Sequence, residues 1–256
     1  MTPDAPAYII IGDVHGAIDE LRQLLRDVEP EVNEGAHIVF VGDYIDRGPN
    51  GPGIVKLVRN LVETGYATAI MGNHEEIAIR AMKRGEPVDF DPADAEWLRN
   101  LPVMIDLPGA LVVHGGLAPR DIDTHNAVER LLNRPFSELR GRDKRIANKV
   151  MRTRLVEPDT GTMVALGQES PAARSWTELY DGRYGIIYFG HEMEATPTQY
   201  AVPLDGGAAF GGVLRAAIHD SATGTTRQLV EVPTLDKYAD RLHDNPIPLR
   251  TIPNHI

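Results

Sequence analysis

The sequence predicts an α/β protein, and three observations carry that prediction. Short apolar runs rich in β-branched residues alternate with helical stripes through the first half of the chain, the pattern of helices packed over a sheet. Those runs stop at glycine-bearing turns, as buried strands do. The chain has 256 residues, 42% of them hydrophobic, which suffices to bury one substantial core and is too few to favour two full domains. We therefore expect one domain over residues 1–256, elaborated by insertions.

Tyr8 to Ile11 and His37 to Val41 each run directly into Gly-Asp and are predicted strands; Ala67 to Met71 does the same before Gly72-Asn73. Between them, Leu21, Leu24, Leu25 and Val28, then Ile54, Leu57, Val58, Leu61 and Val62, recur at helical spacing and predict crossover helices. Residues 85–102 are polar, with Pro, Gly and Asp, apart from a short helix expected over Glu96 to Asn100, and predict an inserted cap. Met104 to Leu107 and Ala110 to Val113 flank Pro108-Gly109, a hairpin that delivers His114 at its end. Residues 120–182 are charged, with helical patches and no strand rhythm, so a mostly helical second insertion is expected, with a polar loop at Glu157 to Thr162. Gly185 to Phe189 leads into Gly190-His191. Val213 to Ile218 and Thr225 to Val232, around Thr223-Gly224, predict a second, antiparallel sheet layer. Three prolines from Asn245 onward predict an irregular tail.

Composition removes several classes of function. With no cysteine, disulfides, thiolate metal sites and cysteine nucleophiles are excluded, so any metal rests on nitrogen and oxygen ligands. The net charge of -11 argues against a general nucleic-acid-binding surface, and an anionic substrate needs local cations. The start, MTPDAP, lacks the basic and apolar regions of a secretory signal, and no stretch approaches the roughly 18 apolar residues that span a bilayer. A soluble, cytoplasmic protein without membrane partners is expected.

Five runs stop at turns that offer metal-binding side chains: Gly12-Asp13-Val14-His15-Gly16, Gly42-Asp43-Tyr44-Ile45-Asp46-Arg47-Gly48, Gly72-Asn73-His74-Glu75, His114-Gly115-Gly116 and Gly190-His191. In an open α/β sheet, groups at the carboxyl ends of neighbouring strands converge on one crevice. Asp, His and Asn suit Mn²⁺, Fe or Zn²⁺, and a carboxylate between two cations bridges them at about 3.5–4 Å. His37, His125, His219, His243 and His255 lack such context and are expected to be structural or solvated. Trp97 and Trp176 suit packing anchors better than nucleobase platforms, and Tyr44 fits either role.

These ordered motifs resemble the phosphoprotein phosphatase branch of the calcineurin-like metallophosphoesterases, over about residues 8–212. The resemblance implies a β-sandwich flanked by helices in four layers, α/β/β/α, with a dinuclear site at the sheet edge. It places Asp13 and His15 on a first cation, Asp43 as the bridge, and Asn73, His114 and His191 on a second. Arg47 and Asn73 would contact substrate phosphate, and His74, paired with Asp46, would act as the acid. Met193 stands where the wider superfamily often has another histidine, which favours this branch. Thr153 to Gly161, Trp176 and Tyr180-Asp181-Gly182 look like the bacterial symmetrical diadenosine tetraphosphatase group and the phosphatase module of polynucleotide kinase-phosphatases. No G-x-x-x-x-G-K-[ST] loop accompanies them, so a kinase partner is absent from this chain. Leu204-Asp205-Gly206-Gly207 with Phe210-Gly211-Gly212 matches the same group and makes Asp205 a secondary substrate-site candidate. A second phosphate-binding arginine is usual; Arg154 is the candidate, with Arg152 and Arg174 as rivals.

The chemistry expected is direct attack on phosphorus by a hydroxide shared between two divalent cations, Mn²⁺ first and Fe or Zn²⁺ next. The planar fork of Arg47 would neutralise phosphate charge, and an imidazolium at His74 would protonate the leaving oxygen. Candidate substrates are phosphorylated small molecules, nucleotides or phosphoproteins. A serine/threonine-type protein phosphatase and a symmetrical dinucleoside tetraphosphatase share this core. The alternative is a catalytically silent scaffold that binds a protein partner; such a scaffold would be expected to have lost ligands, and all are present.

Overall fold

The computed structural model describes residues 5–240, so His243, His255 and the tail from Asn245 lie outside the described residues. Five strands form the first sheet: β1 (Ala7–Ile11), β2 (His37–Phe40), β3 (Ala67–Ala69), β11 (Val213–Asp220) and β12 (Thr225–Pro233). Their order is β12-β11-β1-β2-β3, parallel across β1-β2-β3 and antiparallel from β1 outward through β11 and β12. A second sheet, β10-β9-β5-β4, joins β4 (Met104–Leu107), β5 (Ala110–Val113), β9 (Ile186–Phe189) and β10 (Ala201–Pro203).

The side-chain alternation of the strands builds the layers. Tyr8, Ile10, Val39, Val41 and Ala217 share one core with Ile105, Leu107, Val112 and Tyr188, which is the seam between the sheets. Their alternate neighbours Ile9, Ile11, Ile38 and Phe40 pack with Leu21 and Leu24 of α1 (Ile18–Asp27) and Ile54 and Val58 of α3 (Gly51–Glu63). A short α2 (Glu29–Asn33) links α1 to β2. On the outer face of the second sheet, Phe189 meets Trp176 edge-to-face at 5.0 Å, within the cluster that holds Ile146 and Val150 of α8 (Gly141–Val150). Each such side chain fully buried contributes roughly 1.5–3 kcal/mol. The result is helices, sheet, sheet, helices.

Between the sheets' strands run α4 (Asn73–Lys83), α5 (Ala95–Asn100), α6 (Pro119–Asp123) and α7 (Ala127–Leu131), with α9 (Trp176–Leu179) before β9. The expected helix in 85–102 is α5, and the hairpin around Pro108-Gly109 is β4-β5. Two expectations are corrected. Residues 120–182 also contain a small antiparallel sheet of β6 (Leu155–Glu157), β7 (Thr162–Met163) and β8 (Arg174–Ser175). Strands of two or three residues are too short to print a period of two, so the sequence showed no rhythm there. The hairpin β11-β12 is antiparallel as expected, yet it extends the first sheet beside β1 and does not form a second layer. Alternation within a hairpin specifies its own pairing and leaves open which sheet edge it joins.

Trp176 is fully buried and packs against Gly116, Phe189 and Tyr180, which makes it a packing anchor. The Tyr44 ring is also fully buried, and its hydroxyl donates to the Ile70 carbonyl at 2.6 Å. His37 and His219 are structural as expected, bonded to Thr68, and to Tyr188 and Pro108.

Candidate metal centre

The five motif turns follow β1, β2, β3, β5 and β9 at their carboxyl ends, and sheet pairing brings them to one edge of the sandwich. The backbone there is unusual. Among the described residues, seven non-glycine residues have positive φ, and His15, Asp43, Asp46, Arg47 and His191 are five of them. Each left-handed residue of this kind costs about 1–3 kcal/mol and persists only where its surroundings over-determine it. Two glycines let the strands close up: a Cβ on Gly190 would stand 1.8 Å from Asp13 Oδ1, and one on Gly72 would stand 2.2 Å from Asp43 Oδ1.

Two candidate ligand groups meet at Asp43. One comprises His15, Asp43 and His74; the other comprises Asp43, His114 and His191. Asp43 Oδ2 lies 3.5 Å from His15 Nε2, 3.3 Å from His114 Nε2 and 3.9 Å from His74 Nε2. Asp13 Oδ2 lies 4.0 Å from His15 Nε2 and accepts the His191 backbone N–H. Asn73 Oδ1 is 3.0 Å from His114 Nε2. Carbonyls orient the rings: His15 Nδ1 donates to Ile45 O at 2.8 Å and His114 Nδ1 donates to Val41 O at 2.9 Å. A carbonyl only accepts, so the proton is placed on Nδ1 and each Nε2 turns its lone pair to the centre.

The residues fit divalent cations. Asp13 Oδ1 and His191 Nε2 are buried without a hydrogen-bond partner, an arrangement costly for polar atoms and one that cation ligation of each would relieve. Burial, then the charges of Asp205 and Asp43, drive the Asp13 carboxyl well above its ordinary range. Burial takes His15 down to about 3 and His191 well below its usual value, so both imidazoles are neutral and ligand-ready.

Beside the ligands, His74 Nδ1 donates to Asp46 Oδ2 at 2.6 Å, which leaves Nε2 facing Asp43. Burial lowers the His74 pKa, but the charge of Asp43 and the Asp46 hydrogen bond outweigh it and the net shift is upward. Arg47 extends its guanidinium to His15 Nε2 and lies 5.1 Å above the Phe210 ring. Asp205 is buried, accepts from Gly207 N–H at 3.0 Å and acts electrostatically on Asp13, so it belongs to the same acidic cluster. Arg154 donates to the His191 carbonyl at 3.0 Å, and both Arg154 and Arg152 lower the His191 pKa. Arg174 instead bonds the carbonyls of 171–173 and does not reach the centre.

Two supporting carboxylates carried no expectation. Glu75 is fully buried and accepts the N–H groups of Asp43, Tyr44 and Gly72 at 2.8–3.0 Å, so it ties two motif turns together. Its signal was present as half a capping box, Glu three residues after the Gly72 cap. Asp89, from the segment 85–102, accepts from Asp46 N–H at 3.0 Å. No motif marks it, because only tertiary folding brings it 43 residues back along the chain.

The profile of the family described as calcineurin-like phosphoesterase matches residues 7–195. A symmetrical bis(5'-nucleosyl)-tetraphosphatase of Serratia proteamaculans is 30% identical over 258 residues, covering 80% of this chain and 88% of the relative. An asymmetrical bis(5'-nucleosyl)-tetraphosphatase of Halalkalibacterium halodurans is 26% identical over 244 residues, covering 82% and 88%. A crystal structure provisionally described as a diadenosine tetraphosphatase superposes with a TM-score of 0.66 at 25% identity, over 92% of this chain and 97% of that one.

Proposed function

The chain belongs to the calcineurin-like phosphoesterase family, and on that premise we propose that it hydrolyses dinucleoside tetraphosphates at a centre of two divalent cations. The observation that carries this reading is the meeting of two candidate ligand groups at Asp43; His74, a member of the first group, is tied to Asp46 through Nδ1 and is read as the acid, with Asp13 taking its place beside His15. Asp13, His15 and Asp43 would hold the first cation; Asp43, Asn73, His114 and His191 would hold the second. Mn²⁺ suits the imidazole and amide donors better than Mg²⁺ does, with Fe or Zn²⁺ as alternatives. We read residues 1–256 as one domain, with 85–102 and 120–182 as its caps.

Cations bound there supply Lewis acidity at the phosphoryl oxygens and a water acidic enough to attack near neutral pH. The protein's own groups do the rest. Arg47 and Arg154 neutralise phosphate charge, Asn73 fixes a phosphate oxygen, and Asp205, which feels the charge of Arg47, is the secondary substrate-site residue. His74 carries a proton on Nε2, held in line by Asp46 on Nδ1, and delivers it to the departing oxygen. The scaffold alternative is not favoured: the family is one of hydrolases and the relatives are named tetraphosphatases.

The relatives divide between symmetrical and asymmetrical cleavage, so product analysis is the direct test. With diadenosine tetraphosphate and Mn²⁺, symmetrical cleavage yields only ADP, whereas asymmetrical cleavage yields ATP and AMP. A phosphoserine peptide and p-nitrophenyl phosphate run beside it. Turnover confined to the peptide would overturn the nucleotide reading, and activity surviving exhaustive chelation would overturn the metal centre.

A further inference from the structure

The chain is strongly acidic overall, but its positive charge is not spread evenly. Residues 130–154 hold nine of the 26 lysines and arginines and only two of the 37 acidic residues. Helix α8 and the turn that follows it carry this segment to Arg152 and Arg154 beside His191. It meets α4, the helix that begins with Asn73 and His74.

At that junction Glu76, buried on α4, accepts from Arg80 at 2.8 Å and from Arg152 at 2.9 Å through the same oxygen, Oε2. One carboxylate therefore offsets two guanidinium groups, and net positive charge remains on a surface where the Arg80 side chain is 57% exposed. Further along, Lys144 of α8 lies 4.7 Å over the Phe136 ring, and Lys83, Arg140 and Arg99 repel it. Burial first, then these cations against the opposing charge of Glu76, hold the Lys144 ammonium below its usual value. From His74 to Lys83, α4 advances about 13 Å along its axis, so the cations extend outward from the site.

We propose that Arg152, Arg80, Lys144 and Lys83 form a track that binds the polyphosphate chain of the substrate as it leaves past His74. The spacing selects the ligand class. Two guanidinium groups on one oxygen set charges close together, as successive phosphates in an anhydride chain are, whereas a ribose separates the phosphates of a nucleic-acid strand. The track thereby favours a leaving group that is itself a nucleoside polyphosphate over an uncharged alcohol or a neutral peptide.

This inference rests on the proposed phosphoesterase centre, and the test separates the two. Arg80→Ala, Lys144→Ala and the double variant are assayed with Mn²⁺ on diadenosine tetraphosphate and on p-nitrophenyl phosphate, with inorganic tripolyphosphate as competitor. The double variant is expected to lower kcat/KM for the tetraphosphate roughly tenfold more than for p-nitrophenyl phosphate, and to weaken tripolyphosphate inhibition by a similar factor. Arg80→Lys, which keeps the charge, recovers most of the loss. The log of KM against log salt becomes shallower in the double variant. Equal losses on both substrates, unchanged tripolyphosphate inhibition, or a larger loss on a single-stranded RNA end or a phosphopeptide would overturn the track. An unaltered protein inert toward both substrates would overturn the centre on which it rests.

Discussion

His74 and Asp43 show how closely single atoms set roles in this centre. His74 Nδ1 is committed to Asp46 at 2.6 Å, and only Nε2 faces the Asp43 carboxylate. His74→Asn is therefore expected to leave both cations bound while slowing turnover by roughly 10²–10⁴-fold on an alkyl phosphate. With p-nitrophenyl phosphate, whose phenolate departs with little help, the loss is smaller. Equal losses on the two substrates, or a missing metal, would move the proton donor elsewhere. Asp43→Asn is expected to deplete both cations together, since Asp43 belongs to both ligand groups. Elemental analysis showing two full sites in that variant would remove Asp43 from the bridge. The ligand types and their turns were legible residue by residue, because a Gly-Asp or Gly-His step after a strand is a local pattern. The support from Glu75 and Asp89 was not, because a hydrogen bond to another turn's backbone leaves no mark in spacing.

At the scale of elements, the first sheet carries a polar row at the end remote from the centre. Tyr8 of β1 pairs in register with His37 of β2 and His219 of β11, and its ring stands 6.3 and 6.4 Å from theirs. His219 Nε2 donates to the Pro108 carbonyl and Nδ1 accepts from the Tyr188 hydroxyl, which ties the two sheets together. Burial lowers the pKa of both histidines. The unfolded chain, with imidazoles near the ordinary 6.5, then binds protons that the folded chain refuses. Stability is expected to be complete above about pH 6.5 and to fall as acid takes the pH below it. His37→Gln/His219→Gln should flatten the dependence of the urea midpoint on pH between about 7 and 5 relative to the unaltered protein. An unchanged slope would mean that other groups govern acid sensitivity. Secondary structure of these strands was readable from alternation. The neighbour of β1 on its outer side was not, since nothing local distinguishes one free sheet edge from another.

Across the whole molecule, the centre concentrates buried acid: Asp13, Asp43 and Asp205 all lie near one another with little solvent. Cations that bind the folded chain and not the unfolded one stabilise it by mass action. At 100 times the dissociation constant, one site contributes about 2.7 kcal/mol, and each kcal/mol moves Tm by roughly 2–4 °C in a chain of this size. Mn²⁺ is therefore expected to raise Tm by roughly 5–10 °C over the chelated protein, and Asp43→Asn should lose most of that rise. A Tm indifferent to Mn²⁺ would argue against ordered sites in the folded state. Among the described residues no helix is long and apolar enough to cross a membrane.

The sequence by itself determined the fold class, the order of the five motif turns and the residue types they offer. Those properties are local: strand alternation, helical stripes and glycine turns are written within a few residues of one another. Tertiary structure alone decided which sheet the last hairpin joins, which carboxylates brace the motif turns, and that the turn after α8 lays Arg152 against α4. Such contacts depend on groups separated by 76 residues in the case of Glu76 and Arg152, a distance over which chain spacing carries no geometric information.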